Sequence, residues 1–366
     1  MHAPSSLAAM LVMASIALGS AYGHVARRDG SLRTSGVHAG GVRREVKRSL
    51  PFTHMIAFGD DYSDNGLGSF AHGITGDPKT LWGFGTWTDG HVSVTALARR
   101  LGIPLTYDYA FGSSGGGEVI GSVCDSTLID SSQSKSYAML DGSYVPSALD
   151  QVKNYTSGPY VKDASNALHV LWTANNDVIA SLGWAGRFTI CDKDTLCHPG
   201  QQKFVDGVVK SIVFALKSLV SSGAKYILVP NVAPRQLSPW TSMWISSEAG
   251  LISDFGSAIH KLNSAIESNI TALNKELDCN IIYFDVNSWM TQAISNPSSK
   301  TFPLRDVGSR LTYYVSVDQD AWNVHWAATV LDKKPSNYFW MTEIMPSSTV
   351  LRQLAHAMYT SVAEKY

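Results

Sequence analysis

From residue 49 onward, short apolar runs alternate with longer amphipathic segments, and this alternation restricts the chain to α/β folds. The short runs are rich in β-branched and aromatic residues, which favour strands, whereas the longer segments repeat apolar residues at helical spacing. The pattern therefore predicts a sheet with helices between its strands. The predicted strands are His54 to Phe58, Thr106 to Phe111, Ala167 to Thr173, Lys225 to Pro230 and Ile281 to Val286.

The segment Lys203 to Ser221 illustrates the helical pattern. Its apolar residues recur at three- and four-residue steps on one broad face, and Gly223 follows as a helix terminator. Such a helix buries its apolar face against a sheet. Parallel sheets carry functional groups on loops at the carboxyl ends of their strands, so a site is expected there. The other predicted helices are Ser93 to Leu101, Ile252 to Leu277 and a last one from about Ser347 to Glu364.

The first 48 residues differ in composition from the rest. The apolar stretch Leu7 to Leu18, followed by small residues up to Gly23, predicts a signal peptide over residues 1–23 and a secreted, extracellular protein. A membrane anchor is the alternative, but the run is shorter than the ~20 residues that cross a bilayer. Residues 24–48 lack hydrophobic periodicity and end in basic pairs. We predict a propeptide cleaved after Arg48, with a solvated basic linker as the alternative.

Residues 49–366 form the predicted folded domain, and its charge excludes some functions. Residues 1–48 hold seven of the 29 Lys and Arg residues and two of the 30 Asp and Glu residues, which leaves 22 basic and 28 acidic residues, a net charge of −6. This balance argues against a nucleic-acid partner. No later segment reaches ~18 uninterrupted apolar residues, so we expect no membrane span. We expect a monomer, with glycosylation at the sequons of Asn154 and Asn269 if they are exposed.

The chain has four cysteines, an even number that suits an oxidising compartment. Four cysteines allow three pairings. Cys191 and Cys197 enclose a short polar loop and close most simply on each other, which leaves Cys124 to pair with Cys279. A metal site is the alternative, but neither a CxxC motif nor a pair of histidines at ligand spacing supports it.

Several short segments, in chain order, contain Gly, Asp, Asn and Ser in motif-like arrangements. They are Phe58 to Gly66, Gly85 to Ser93, Tyr109 to Ser113, Ala174 to Asp177, Val229 to Pro239 and Phe339 to Ser347. They resemble motifs such as FGDSxSDxG, YAxGG, GxND and FWxDxxHPS of the secreted, fungal-type GDSL (SGNH) lipase and acylhydrolase family, and the chain is similar to the acetylesterases of carbohydrate esterase family 16. The resemblance implies a three-layer α/β/α sandwich with a mainly parallel five-stranded sheet.

The resemblance also identifies the positions that carry catalysis in this family, and here other residues occupy them. In the family, a serine attacks an ester carbonyl, a histidine takes its proton, and an aspartate three residues before the histidine orients it. The nucleophile position is Asp61, the aspartate position is Thr342 and the histidine position is Met345. A thioether does not accept a proton near neutral pH, so we expect no intact catalytic residue.

The resemblance implies that the groups facing the oxyanion are partly retained. Asn176 is in place, whereas Ser113 replaces the second glycine of YAxGG and Ala174 the first glycine of GxND. We expect Asp61 to be ionised at neutral pH and to accept hydrogen bonds from donors of this pocket, including Asn176. The pocket would then be occupied by the protein's own side chain.

Three histidines are candidates for a substitute base. His325 has two carboxylates nearby in sequence, His91 precedes a predicted helix, and His356 lies within the last one. No spacing ties any of them to Asp61, so we expect them to be ordinary surface or core histidines, and His325 is the first to test.

Two functions remain open. The first is a non-catalytic protein that binds a carbohydrate or acyl-ester ligand. The alternative is an ester hydrolase, similar to an acetylesterase, that uses a non-standard base. No cofactor and no metal are expected. Nine tryptophans, mainly in loops after strands, offer faces on which sugars stack, although such residues more often serve packing. They are Trp82, Trp87, Trp172, Trp184, Trp240, Trp244, Trp322, Trp326 and Trp340.

Overall fold

The computed structural model describes residues 50–66, 86–112, 146–181, 202–239, 241, 249–277, 279–296, 306–309, 311–317, 324–330, 338–342 and 344–366. Between residues 306 and 330 it describes the backbone of the strands. Residues Ser49–Tyr366 form one compact unit. No helix in the described part of the chain is long and apolar enough to cross a membrane.

Five parallel strands form the central sheet. They are β1 (His54–Gly59), β2 (Leu105–Asp108), β3 (Ala167–Trp172), β4 (Tyr226–Pro230) and β5 (Asn280–Phe284). Their order is β2-β1-β3-β4-β5, and every neighbouring pair is parallel. This confirms the predicted mainly parallel five-stranded sheet.

Helices connect and cover these strands. They are α1 (Ser93–Leu101), α2 (Ala148–Thr156), α3 (Asn175–Ser181), α4 (Gln202–Ser221), α5 (Ala249–Glu276), α6 (Val286–Ser295) and α7 (Ser348–Lys365), with 3₁₀ segments at Pro159–Asn166 and Arg235–Leu237. The predicted helices correspond to α1, α4, α5 and α7. The sequence analysis did not predict the short helices α2, α3 and α6, although Val286, Met290 and Ala293 of α6 recur at helical spacing.

Both faces of the sheet are buried, as the alternation along β1 shows. Met55 and Ala57 belong to one core, which also includes residues of α1, α6 and α7. Ile56 and Phe58 belong to a second core, with residues of α2, α4 and α5. Successive side chains of a strand point to opposite faces, so helices cover the sheet on both sides and the layers are α/β/α.

Side chains accept from backbone N–H groups directly after two strands that end two or more residues earlier than predicted. The second strand was expected to reach Phe111, and Tyr109 N and Phe111 N still donate to β1, but Ala110 N donates to the carboxylate of Asp108, which also accepts from Asn65 N. The fifth strand was expected to reach Val286, but Asp285 accepts from Ser288 N and caps the start of α6.

Side-chain amides from helices hold the backbone of three strand ends. Gln151 accepts from Gly59 N at 2.8 Å and donates to Gly59 O at 3.0 Å. Asn263 makes the same pair of contacts with Val232, both at 3.0 Å. Asn274 does so with Ile281 on the edge strand β5, where one side of the backbone has no neighbouring strand in the sheet. These contacts satisfy backbone groups that the sheet leaves without partners.

Four further strands follow α6 in the described part of the chain. They are β6 (Asp306–Ser309), β7 (Leu311–Val317), β8 (Val324–Val330) and β9 (Tyr338–Trp340). β7 and β8 pair antiparallel, and β6 pairs parallel with β9. The chain leaves β9 through a tight turn into α7, and this turn contributes to the candidate site.

Candidate functional site

The site begins at a backbone turn directly after β1. Gly59 has φ +139°, and a Cβ atom there would lie 1.8 Å from Trp172 O, so only glycine fits. Gln151 holds the backbone of Gly59 from the other side, as described above. The two residues that follow, Asp60 and Asp61, are therefore placed rigidly at the carboxyl end of the central strands.

Asp61 is buried against the beginning of α3. Its side chain is 3 % exposed, and its Oδ2 accepts a hydrogen bond of 2.6 Å from Nδ2 of half-buried Asn176. The contact expected between these residues is thus present. It joins the loop after β1 to the loop after β3, so the carboxyl ends of two neighbouring strands meet at this carboxylate.

The expectation that Asp61 has an ordinary carboxyl pKa was wrong. Burial, together with the nearby carboxyl of Asp60, raises the pKa of Asp61 to about 7, and the Asn176 amide and the charge of Arg235 oppose this shift. The expectation took the ordinary value of an exposed carboxyl and left out the cost of removing a charge from water. The protonated carboxyl is therefore more favoured in buried Asp61 than in an exposed aspartate.

Asp60 is a structural carboxyl that ties three strand ends together. It is fully buried, and it accepts from Tyr62 N at 3.2 Å and from Asn175 Nδ2 at 2.9 Å. Asn175 in turn accepts from Ala233 N at 3.0 Å. Burial raises the pKa of Asp60, and the charge of Arg235 works in the opposite direction. The chain thus links the ends of β1, β3 and β4 through side-chain hydrogen bonds.

The turn between β9 and α7 carries the two remaining predicted positions. Oγ1 of Thr342 accepts from Ile344 N at 3.2 Å and from Met345 N at 2.9 Å, and the carbonyl of Met345 accepts from Thr342 N. The Thr342 hydroxyl therefore closes the turn. Met345 is 2 % exposed, and its side chain belongs to the core that contains α1 and α7.

Two buried side chains bind this turn to the loop after β1. The hydroxyl of Tyr62, the residue after Asp61, donates to Ile344 O at 3.2 Å. Nη1 of Arg235 donates to the same carbonyl at 2.7 Å, and its guanidinium carbon lies 4.6 Å from the centre of the Tyr62 ring. The Tyr62 ring stacks on Trp172 at 4.7 Å. The structure therefore brings the turn of Thr342 and Met345 next to the segment that contains Asp61.

Among the described residues, the remaining family-like positions hold or shape the backbone. Asp64 accepts from Gly66 N at 2.8 Å and from Gly112 N at 2.7 Å, so it joins two motif segments. Ala174 has φ +75°, a left-handed conformation that favours glycine, which explains why the family motif has glycine there. Ser113 lies outside the described residues.

None of the candidate histidines is shown to reach the site. His356 is exposed on α7, and the backbone of His325 pairs with Ser316 in the β7–β8 hairpin, while its side chain lies outside the described residues. Burial and the charges of Arg99 and Arg352 lower the pKa of His91.

Trp87, Trp172 and Trp340 are buried in one core, so their faces pack inside the protein. Of the other six candidate tryptophans, the Trp326 side chain and the whole of Trp82, Trp184, Trp240, Trp244 and Trp322 lie outside the described residues.

Asn154 is exposed on α2, whereas Asn269 is half-buried on α5 and its Nδ2 donates to Ala265 O at 2.9 Å. Cys279 is half-buried, and Cys124, Cys191 and Cys197 lie outside the described residues, so both disulfides remain predictions. The cleavage site at Arg48 also lies outside them.

Sequence reasoning missed Arg235 and Gln151. Both are almost fully buried polar residues, and nothing in their local sequence separates them from surface residues of the same type. The sequence identifies the segment Val229 to Pro239 only as a family-like motif at the end of a predicted strand, without a role for Arg235. A polar residue close after a predicted strand was the one available signal, and it is common in parallel α/β folds.

A parallel sheet covered on both faces, with a polar cluster at the carboxyl ends of β1 and β3, is the architecture of SGNH-type hydrolases. In agreement, residues 55–323 match the GDSL-like lipase/acylhydrolase family, and the chain belongs to that family. The match includes Asp61 and Asn176 and ends before Thr342 and Met345. A search of curated proteins finds no match.

Proposed function

We propose that this chain is a secreted, non-catalytic member of the GDSL-like family that binds a carbohydrate or acyl-ester ligand. The observation that carries the proposal is the 2.6 Å hydrogen bond between Asp61 and Asn176. Asp61 stands at the position of the family's nucleophile. Its carboxyl accepts a hydrogen bond from the Asn176 amide, which in active members of the family faces the oxyanion. A substrate carbonyl would have to displace this internal contact before it could be polarised.

The surroundings of Thr342 and Met345 support the loss of the base. Met345 packs in an apolar core, and its thioether accepts no proton near neutral pH. The Thr342 hydroxyl is engaged with two backbone N–H groups of its own turn. On this proposal the triad of the family is degenerate at all three positions, and the fold is kept for binding.

The similarity to fungal acetylesterases of carbohydrate esterase family 16 belongs to the same proposal. It rests on the order of the motif segments and on a leader and dibasic pairs typical of secreted precursors. It favours an acetylated sugar as the ligand class.

The experiment is hydrolysis of 4-nitrophenyl acetate by the purified full-length protein and its variants. We expect no turnover above buffer from the unmodified protein. The triple variant Asp61→Ser, Thr342→Asp, Met345→His should restore hydrolysis, whereas the double variant Asp61→Ser, Thr342→Asp, which lacks only the base, should fall short of it by roughly 10³-fold, because triad members act as a unit. Clear turnover by the unmodified protein that is abolished by Asp61→Ala would contradict the proposal.

That contradicting result would support the alternative, an ester hydrolase with a non-standard base. One observation favours it: a carboxyl whose pKa is raised to about 7 is matched to proton transfer at neutral pH. On this alternative, hydrolysis would rise with pH through about 7, as Asp61 loses its proton. The non-catalytic proposal expects a flat profile over the same range.

A further inference from the structure

Arg235 is a buried cation with unused hydrogen-bonding capacity. Its side chain is 1 % exposed, and one nitrogen, Nη1, donates to Ile344 O. The other two nitrogens, Nε and Nη2, are buried and have no hydrogen-bond partner among the described residues. Buried polar groups without partners are rare and costly, and a charged donor is among the most costly.

The two free nitrogens form the edge of the guanidinium that recognises ligands. The N–H bonds of Nε and Nη2 run parallel and form the fork through which arginine binds oxygen acceptors in a bidentate manner. The backbone behind this fork is held firmly, because Arg235 O accepts from Ser238 Oγ at 2.8 Å and from Thr241 Oγ1 at 2.6 Å. The edge is therefore preorganised.

The charges around Arg235 select the kind of acceptor. The charge of Arg235 opposes the rise in pKa of both Asp60 and Asp61, so it acts on these two carboxyls, yet Arg235 forms a hydrogen bond with neither. A carboxylate ligand would bring a further negative charge into this buried, acidic place. A neutral carbonyl oxygen accepts from both N–H groups and brings no charge.

We propose that the Nε–Nη2 edge of Arg235 binds the acyl carbonyl oxygen of the ligand and discriminates against free carboxylates. This rests on the proposed function, because it selects the acyl ester within the ligand classes named there. Because Arg235 is 1 % exposed, a ligand reaches this edge only through a local opening of the structure. Bound and free states should therefore exchange slowly on the NMR time scale.

The test uses the full-length protein labelled with ¹⁵N-arginine and the Nε–H resonance of Arg235. The probes are methyl tri-O-acetyl-xyloside, the unacetylated methyl xyloside and sodium acetate. We expect the acetylated glycoside alone to give a new Nε–H resonance. The variant Arg235→Lys keeps the charge and a donor for Ile344 O but lacks the fork. Its affinity for the acetylated glycoside should be lower than that of the unmodified protein by roughly ten-fold or more.

The outcomes separate this inference from the proposed function. An unchanged Nε–H resonance in the unmodified protein overturns the inference even if Arg235→Lys fails to fold. Equal binding of the two glycosides, tight binding of acetate, or no binding of any probe overturns it as well. Release of acetate from the acetylated glycoside in the same samples would instead refute the non-catalytic function. In that case the Nε–H resonance of Arg235 would still show whether Arg235 binds the carbonyl.

Discussion

At the scale of single residues, Asp61 couples the candidate site to pH. Its pKa is raised from 3.8 to about 7, so the folded protein binds one more proton than the unfolded chain between these values. The stability contributed by the protonated form is fully present below pH 3.8 and is lost as the pH rises through 7. The charged form is therefore the costly one.

The substitution Asp61→Asn tests this coupling, because it keeps an acceptor for Asn176 and removes the charge. We expect the variant to be more stable than the unmodified protein by about 2–4 kcal/mol at pH 8 and to match it near pH 4. Chemical denaturation between pH 4 and 8 measures the difference. Asp61→Ala is the control, and it should be less stable than Asp61→Asn by about 1–3 kcal/mol at every pH, because it leaves Asn176 without its acceptor. If the free energies of unfolding of Asp61→Asn and of the unmodified protein change in parallel with pH, Asp61 does not titrate in this range.

At the scale of elements, the end of β1 depends on the absence of one side chain. Gly59 lies between the amide of Gln151 and the backbone of Trp172, and a Cβ atom would meet Trp172 O at 1.8 Å. Backbone atoms of a central strand cannot move aside without breaking the pairing of β1 with β3. The rigidity of the Asp60–Asp61 turn therefore depends on this close approach of two strands.

Gly59→Ala should destabilise the protein by more than about 3 kcal/mol, because it adds both a backbone clash and an unfavourable φ. Gly223→Ala is a matched control. Gly223 also has positive φ, +102°, but the nearest atom to an added Cβ is the Ala164 Cβ at 3.9 Å, so only the conformational cost of about 1–2 kcal/mol applies. Thermal or urea unfolding of the two variants measures the contrast. Equal losses would show that conformation, and not the contact with Trp172, requires glycine at position 59.

At the scale of the whole molecule, the compact unit begins at Ser49, directly after the basic pair that ends in Arg48. Expression in a secreting eukaryotic host should release a protein whose first residue is Ser49, as determined by N-terminal sequencing. Replacement of Lys47 and Arg48 by alanine should retain the propeptide without lowering the melting temperature. An intracellular product that keeps residues 1–23 would contradict secretion, and a start at residue 24 would mean that residues 24–48 are a linker.

The sequence by itself determined the architecture, because the features that define it are local. The apolar runs of β1, β3, β4 and β5 and the periodicity of α1, α4, α5 and α7 can be read from neighbouring residues, since side chains alternate along strands and recur every three or four positions along helices. The motif around Asp61 and Asn176 was recognisable for the same reason. Short elements such as α2 and α3 carry too few periodic positions to stand out.

Only the tertiary structure decided the chemistry of the site. The pKa of Asp61 depends on burial and on the fixed proximity of Asp60 and Arg235, and neither burial nor the exact spacing of these charges is encoded in a local pattern. The same holds for Gln151 at Gly59, for the Thr342 hydroxyl that closes its own turn, and for the unused edge of Arg235. Residues far apart in the chain meet at the carboxyl ends of the strands, and the free energy of each polar group there depends on which partners the fold supplies.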